Sequence, residues 1–102
     1  MDGMSGLAEK KVSSVTGGAS GLGAAISELL AARGATVVVA DLDEAAARAM
    51  QKKIESRGGS ALAVRVDVTS ANDVSAMVSA VIAAHGRIDI LVNNAGGTMP
   101  TP

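Results

Sequence analysis

The chain has 102 residues, nine Lys and Arg against ten Asp and Glu, one His, no cysteine, and no Phe, Tyr or Trp. That length allows one modest core, built from Ala, Val, Leu, Ile and Met, which bury less surface per residue than aromatic rings. The near-neutral, interspersed charge argues against nucleic-acid or membrane-surface binding, the missing thiols exclude disulfides and thiolate metal sites, and no apolar run is long enough to span a bilayer.

Residues 1–10 carry mixed charges and no signal-peptide core, so they are expected to be a flexible lead-in to a cytoplasmic protein. Over residues 11–102, Val-rich runs alternate with helical segments, the pattern of a parallel α/β sheet. Strands are predicted at Lys11–Val15, Thr36–Ala40, Ala61–Val66 and Ile90–Asn93, with helices at Leu22–Arg33, Glu44–Ser56 and Asp73–His85 between them. Each helix stops at a basic residue and a glycine: Arg33-Gly34, Arg57-Gly58 and His85-Gly86. The cation suits the negative helix end and the glycine accepts a left-handed cap. Ser70-x-x-Asp73 reads as a capping box, and Val74, Met77, Val78, Val81 and Ile82 recur as one apolar stripe.

Right-handed crossovers place the first two helices on one face and the third on the other, giving a doubly wound sheet of order 3-2-1-4. Ligands of such sheets bind at the carboxyl ends flanking the point where strand order reverses. Here those ends are Thr16–Gly23 and Asn93–Gly96.

The first of these, Thr16-Gly17-Gly18-Ala19-Ser20-Gly21-Leu22-Gly23, joins a strand to an Ala-rich helix. A helix start offers unpaired N–H groups and the positive end of the helix dipole, and an anion reaches them only where side chains are absent. Gly17, Gly21 and Gly23 are spaced G-x-x-x-G-x-G, unlike the G-x-G-x-x-G fingerprint, so a ligand-free turn is the competing reading. Ser20 can serve a phosphate or simply cap the helix.

Asp41 ends the second strand, where a carboxylate can accept from both hydroxyls of an adenosine ribose. Facing a 2′-phosphate, like charges near 4 Å repel by about 4 kcal/mol at an effective dielectric of 20. A hydrogen bond to a charged group returns only about 1.5–3 kcal/mol, so Asp41 favours NAD over NADP. Its alternative role, capping the next helix, suits Asp43 better. Asp67 and Val68 can meet an adenine edge, or form an ordinary loop. Asn93 and Asn94 can tie neighbouring strand ends together, and Gly96, after Ala95, lets the backbone pass close to a ligand. His85 suits a helix C-terminus, and Met50 and Met77 suit the core.

These motifs, in this order, resemble the short-chain dehydrogenases/reductases, from Lys11 to Gly96. Thr16-Gly17-x-x-x-Gly21-x-Gly23 matches the family's cofactor loop, Asp41 its NAD-selecting acid, Asp67-Val68 its adenine-contacting pair, and Asn93-Asn94-Ala95-Gly96 its sheet-stabilising motif. The resemblance implies a Rossmann-like half-domain and a nicotinamide oxidoreductase acting on an alcohol or carbonyl. It implies cofactor contacts at Gly17, Ser20, Leu22, Asp41, Asp67, Val68 and Asn94.

Members also use a Tyr-x-x-x-Lys pair, an upstream Ser and an Asn beyond the position of Pro102. This chain has no Tyr, so it is expected to be the cofactor-binding portion and inactive alone. A stand-alone dinucleotide-binding or regulatory module is the alternative. A methyl-donor nucleotide is a third ligand class that an acid after the second strand can hold. With no further strand beside it, Ile90-Leu91-Val92 is expected to be an exposed edge that promotes self-association.

Ser13 and Ser14 stand where the family's first strand is apolar. A central parallel strand is buried on both faces, where an unpaired hydroxyl costs about 1–3 kcal/mol. Replacing both with Val is therefore expected to raise the melting temperature.

Overall fold

A computed structural model describes residues 11–94. It contains β1 (Val12–Thr16), α1 (Gly21–Ala32), β2 (Thr36–Asp41), α2 (Glu44–Ser56), β3 (Ser60–Arg65), α3 (Ala71–His85) and β4 (Ile90–Asn93). Every predicted element is present, with ends shifted by no more than two residues. The four strands are parallel in the order β3-β2-β1-β4. The predicted lead-in over residues 1–10, and Ala95 and Gly96, lie outside the described residues.

Strand alternation divides the core. Val15, Val37 and Val39 point to one face and pack with Ala47, Met50 and Ile54 of α2 and with Ile26 and Leu30 of α1. Val12, Val38 and Ala40 point to the other, against Met77 and Val81 of α3 and Val66. The first two helices thus cover one face and the third the opposite face, as right-handed crossovers require.

The local signals act as anticipated, with two corrections. Gly34, Gly58 and Gly86 all carry positive φ, at 94°, 84° and 79°, and Asp43 caps α2 by accepting from the Ala46 N–H at 3.1 Å. Ser70 caps α3 by accepting from the Asp73 N–H at 3.2 Å. The return half of the capping box is replaced: Asp73 Oδ2 accepts from the Asp67 N–H at 3.0 Å, and the Ser70 N–H donates to Asp67 O. The α3 stripe is also narrower than its spacing implies. Met77 and Val81 are buried, whereas Val78 and Ile82 are 39% and 45% exposed. One helix over the sheet can bury only the residues pointing straight at it.

β1 is buried along its whole length. Ser14 Oγ faces Met77 Sδ at 3.6 Å, a weak partner because thioether sulfur is a poor acceptor. Ser13 Oγ is buried with no hydrogen-bond partner. The first strand therefore carries the cost anticipated for Ser13, only partly relieved at Ser14.

Candidate functional site

At the carboxyl ends of β1, β2 and β4 the chain brings three distant segments together. Gly17 and Gly21 adopt φ of 65° and 55°, a conformation that costs an L-residue about 1–2 kcal/mol. Gly23 faces a tighter constraint. A Cβ there would collide with the Gly17 carbonyl and lie 2.8 Å from Asn94 Nδ2. The first turn of α1 therefore sits directly on the turn that precedes it.

Ser20 holds the N-cap position of α1 with extended backbone (φ −149°), but its side chain makes no capping bond, and the first turn contains no acidic residue. Of the two roles open to Ser20 in the sequence, the side-chain cap is thus not formed. The first-turn N–H groups have no partners within the helix. Together with the positive helix end, they form a surface suited to an anion such as a diphosphate. Leu22 stands beside them at 68% exposure.

Asp41, at the end of β2, reaches this loop directly. Its Oδ2 accepts from the Ala19 N–H at 3.1 Å and its Oδ1 from the Asp43 N–H at 3.0 Å. The Gly18 N–H donates to Ala40 O at 3.3 Å. The carboxylate therefore lies beside the glycine loop while retaining acceptor capacity, since each oxygen can accept more than one bond.

The β4 end is joined through Thr16 and Asn94. Thr16 Oγ1 lies 3.2 Å from both Val92 O and Asn93 Oδ1 and accepts from the Asn94 N–H at 3.0 Å. Asn94 Nδ2 donates to Gly17 O at 3.4 Å. Tying strand ends together, read from the asparagines in the sequence, is what these bonds do.

Asp67 and Val68 follow β3 at the same end of the sheet, next to Val66, whose N–H donates to Asp41 O at 3.0 Å. Asp67 Oδ1 accepts from both the N–H and the hydroxyl of Thr69, at 2.9 and 2.6 Å. Those bonds, the side-chain one foremost, hold its carboxyl below the usual aspartate range. The geometry thus gives Asp67 a turn-forming role, and Val68 is exposed beside it.

One residue of this region escaped the sequence reading. Ser27, fully buried in α1, donates from Oγ to Gly18 O at 3.1 Å. Its only signal is a hydroxyl on the apolar face shared by Ala24 and Ala31. A separate groove of about 300 Å³, lined by Glu28, Ile54 and Arg57, lies between the last turns of α1 and α2. It is at the opposite end of the helices from the glycine loop. No group of three or more His, Cys, Asp or Glu among the described residues can hold a metal ion.

Known proteins share this fold. The family model for short chain dehydrogenase matches residues 11–102. The chain is 42% identical over 92 residues to the 7alpha-hydroxysteroid dehydrogenase of Escherichia coli K12, covering 90% of this chain and 36% of that protein. It is also 42% identical over 93 residues to the short-chain dehydrogenase/reductase homolog YusS of Bacillus subtilis, there covering 85% of the relative. A crystal structure of hydroxysteroid dehydrogenase from Escherichia coli superimposes with a TM-score of 0.89 at 39% identity, covering 99% of this chain and 41% of that one. A metagenomic short-chain oxidoreductase in complex with NADP gives 0.83 at 41% identity, covering 86% of this chain and 40% of that one. The chain thus spans little more than a third of the hydroxysteroid dehydrogenase it matches, and most of YusS. Glycine loop, strand order and β4 asparagines all fit one conclusion: this chain belongs to the short-chain dehydrogenase family.

Proposed function

We propose that these residues hold a nicotinamide dinucleotide, NAD in preference to NADP, for an oxidoreductase acting on an alcohol or carbonyl. The observation that carries this reading is the Asp41 carboxylate, hydrogen-bonded to Ala19 of the loop whose next residues present the free amides of α1. With a diphosphate held at those amides, Asp41 would be the residue to hold the adenosine ribose. Gly17, Ser20, Gly21, Leu22 and Gly23 would cradle the diphosphate, Asp67 and Val68 would border the adenine, and Asn94, Ala95 and Gly96 would supply the remaining cofactor contacts. The bound nicotinamide ring supplies hydride chemistry.

The family includes a member seen with NADP, so membership alone leaves the 2′-position open. Asp41 supports NAD, because it offers two acceptors to ribose hydroxyls and a negative charge to a 2′-phosphate. The chain contains no Tyr, and thus no phenol to pass a proton to or from the substrate oxygen, so 102 residues alone are expected to bind without turnover. Calorimetric titration with NAD tests this reading. Heat of binding and a raised melting temperature are expected, about 2.7 kcal/mol of stabilisation at one hundred times Kd. The absence of both signals at millimolar NAD would overturn it.

The absence of Tyr from these 102 residues also supports a second reading, a non-catalytic dinucleotide-binding or regulatory module. Turnover of alcohol substrates by the purified chain would exclude it. Either reading includes a self-association surface for a second copy. β4 pairs with β1 alone among the described strands, and Leu91 is 63% exposed.

A further inference from the structure

We propose that Ser27 is a positioning residue for the cofactor loop, acting with Asp41 to fix the orientation of a single peptide unit. Gly18 C=O and Ala19 N–H belong to the same peptide group. The carbonyl accepts from Ser27 Oγ at 3.1 Å, and the N–H donates to Asp41 Oδ2 at 3.1 Å. A rigid planar unit held at both ends cannot rotate about its flanking bonds without breaking one of them. Its neighbour is held as well, since the Gly18 N–H donates to Ala40 O.

Packing reinforces this arrangement. A Cβ at Gly18 would lie 2.8 Å from Val15 O and 3.0 Å from Ser27 Oγ, so the loop rests on the hydroxyl with no intervening side chain. Ser27 is fully buried and cannot touch a ligand in the cleft. Its effect must pass through the peptide it holds. That peptide leads into Ser20, Gly21 and Leu22, so its orientation sets where their amides point. A loop fixed before ligand arrives is fully binding-competent, whereas a loop that samples several orientations binds more weakly in proportion to its competent fraction.

The inference rests on the dinucleotide reading for its functional half and on geometry alone for its structural half, and one experiment separates the two. Ser27→Ala removes the hydroxyl while keeping a good helix former, so α1 is retained. Ser13→Ala removes an equally buried hydroxyl that has no partner and serves as the control. Site-resolved amide exchange is recorded on the ligand-free chain, and NAD affinity is measured by calorimetry. In Ser27→Ala the Ala19 amide is expected to exchange about tenfold faster, while Val38 in central β2 stays within twofold, the pattern of local rather than global opening. NAD Kd is expected to rise about fivefold. Ser13→Ala is expected to change neither Ala19 exchange nor Kd.

Unchanged Ala19 exchange overturns the pinned peptide, as does a parallel acceleration at Ala19 and Val38. Faster Ala19 exchange with an unaltered NAD Kd overturns the positioning role. A wild-type chain that shows Ser27-dependent protection but binds no NAD overturns the dinucleotide reading, and the functional half with it, while establishing the pinned peptide.

Discussion

The two faces of the sheet are finished to different degrees. On the α1/α2 face, Val15, Val37, Val39, Ala47 and Ile54 are nearly or fully buried, and Glu28 joins the two helices through Lys53 and Arg57 at 3.1 and 2.7 Å. On the α3 face, only Met77 and Val81 of the helix are buried, while Val78, Ile82 and Leu91 remain exposed. Leu91 shares that face, because it pairs with Ser14, whose hydroxyl meets Met77. Among the described residues, the glycine loop and Asp41 rest on the face with the larger buried cluster, although Leu22 and Leu29 of α1 are themselves exposed. The β4 side presents apolar surface that another body can cover.

The sharpest break of this contrast is at Gly23. Gly23→Ala puts a methyl group into the Gly17 backbone, and overpacking against atoms that cannot yield costs about 1–3 kcal/mol or more. The expected outcome is loss of NAD binding by more than about a hundredfold in calorimetry, combining that strain with a displaced loop. Affinity within threefold of wild type would show that the loop yields.

On the unfinished face, Leu91→Lys adds a charge of the kind that protects natural edge strands. Sedimentation is expected to show association weakened by at least about tenfold, with a melting temperature close to wild type, since an exposed leucine contributes little to the fold. A wild-type chain that stays monomeric at high concentration removes the premise.

Within β1, Ser13→Ala removes a buried unpaired hydroxyl. A gain of about 1 kcal/mol is expected, read as a melting temperature raised by roughly 4–8 °C for a domain of this size. The same change at Ser14 should give less, because Ser14 has Met77. Equal gains would mean that the sulfur contact contributes nothing.

The smallest effect concerns acid. Asp89 Oδ2 accepts from Arg87 Nε at 2.7 Å and from the Val12 N–H at 2.8 Å. These bonds, Arg87 first, hold its carboxyl below the usual aspartate range. A folded-state pKa below the unfolded one contributes stability that is complete above about pH 4. That contribution is lost as pH falls through the folded value. Melting temperature should therefore decline on acidification below pH 4, and less steeply in Asp89→Asn. Identical slopes would show that Asp89 does not contribute.

Much of this architecture is legible in the sequence because its signals are local or topological. Basic-glycine stops, Val-rich runs and right-handed crossovers fix element order and the 3-2-1-4 sheet without any long-range contact being known. The approach of Asp41 and Asn94 to the glycine loop follows from that order. Ser27 was not legible, because a serine in an Ala-rich helix shows its partner only when the loop nine residues earlier folds back onto it. The exposure of Val78 and Ile82 was likewise hidden. Helical spacing reports which residues share a side, not how much of that side a neighbour covers. Asp67 reads equally as an adenine contact or a turn residue until its bonds to Thr69 are seen.

The central claim is that Asp41 selects the dinucleotide bound at this loop. Asp41→Asn keeps an acceptor for the Ala19 N–H and removes the charge, so the measurement is the NAD-to-NADP ratio of Kd in wild type and variant. The account predicts that wild type binds NAD at least about tenfold more tightly than NADP, and that the variant shifts this ratio toward NADP by a similar factor. Equal affinity for both dinucleotides in wild type, or a ratio unmoved by the substitution, would contradict it.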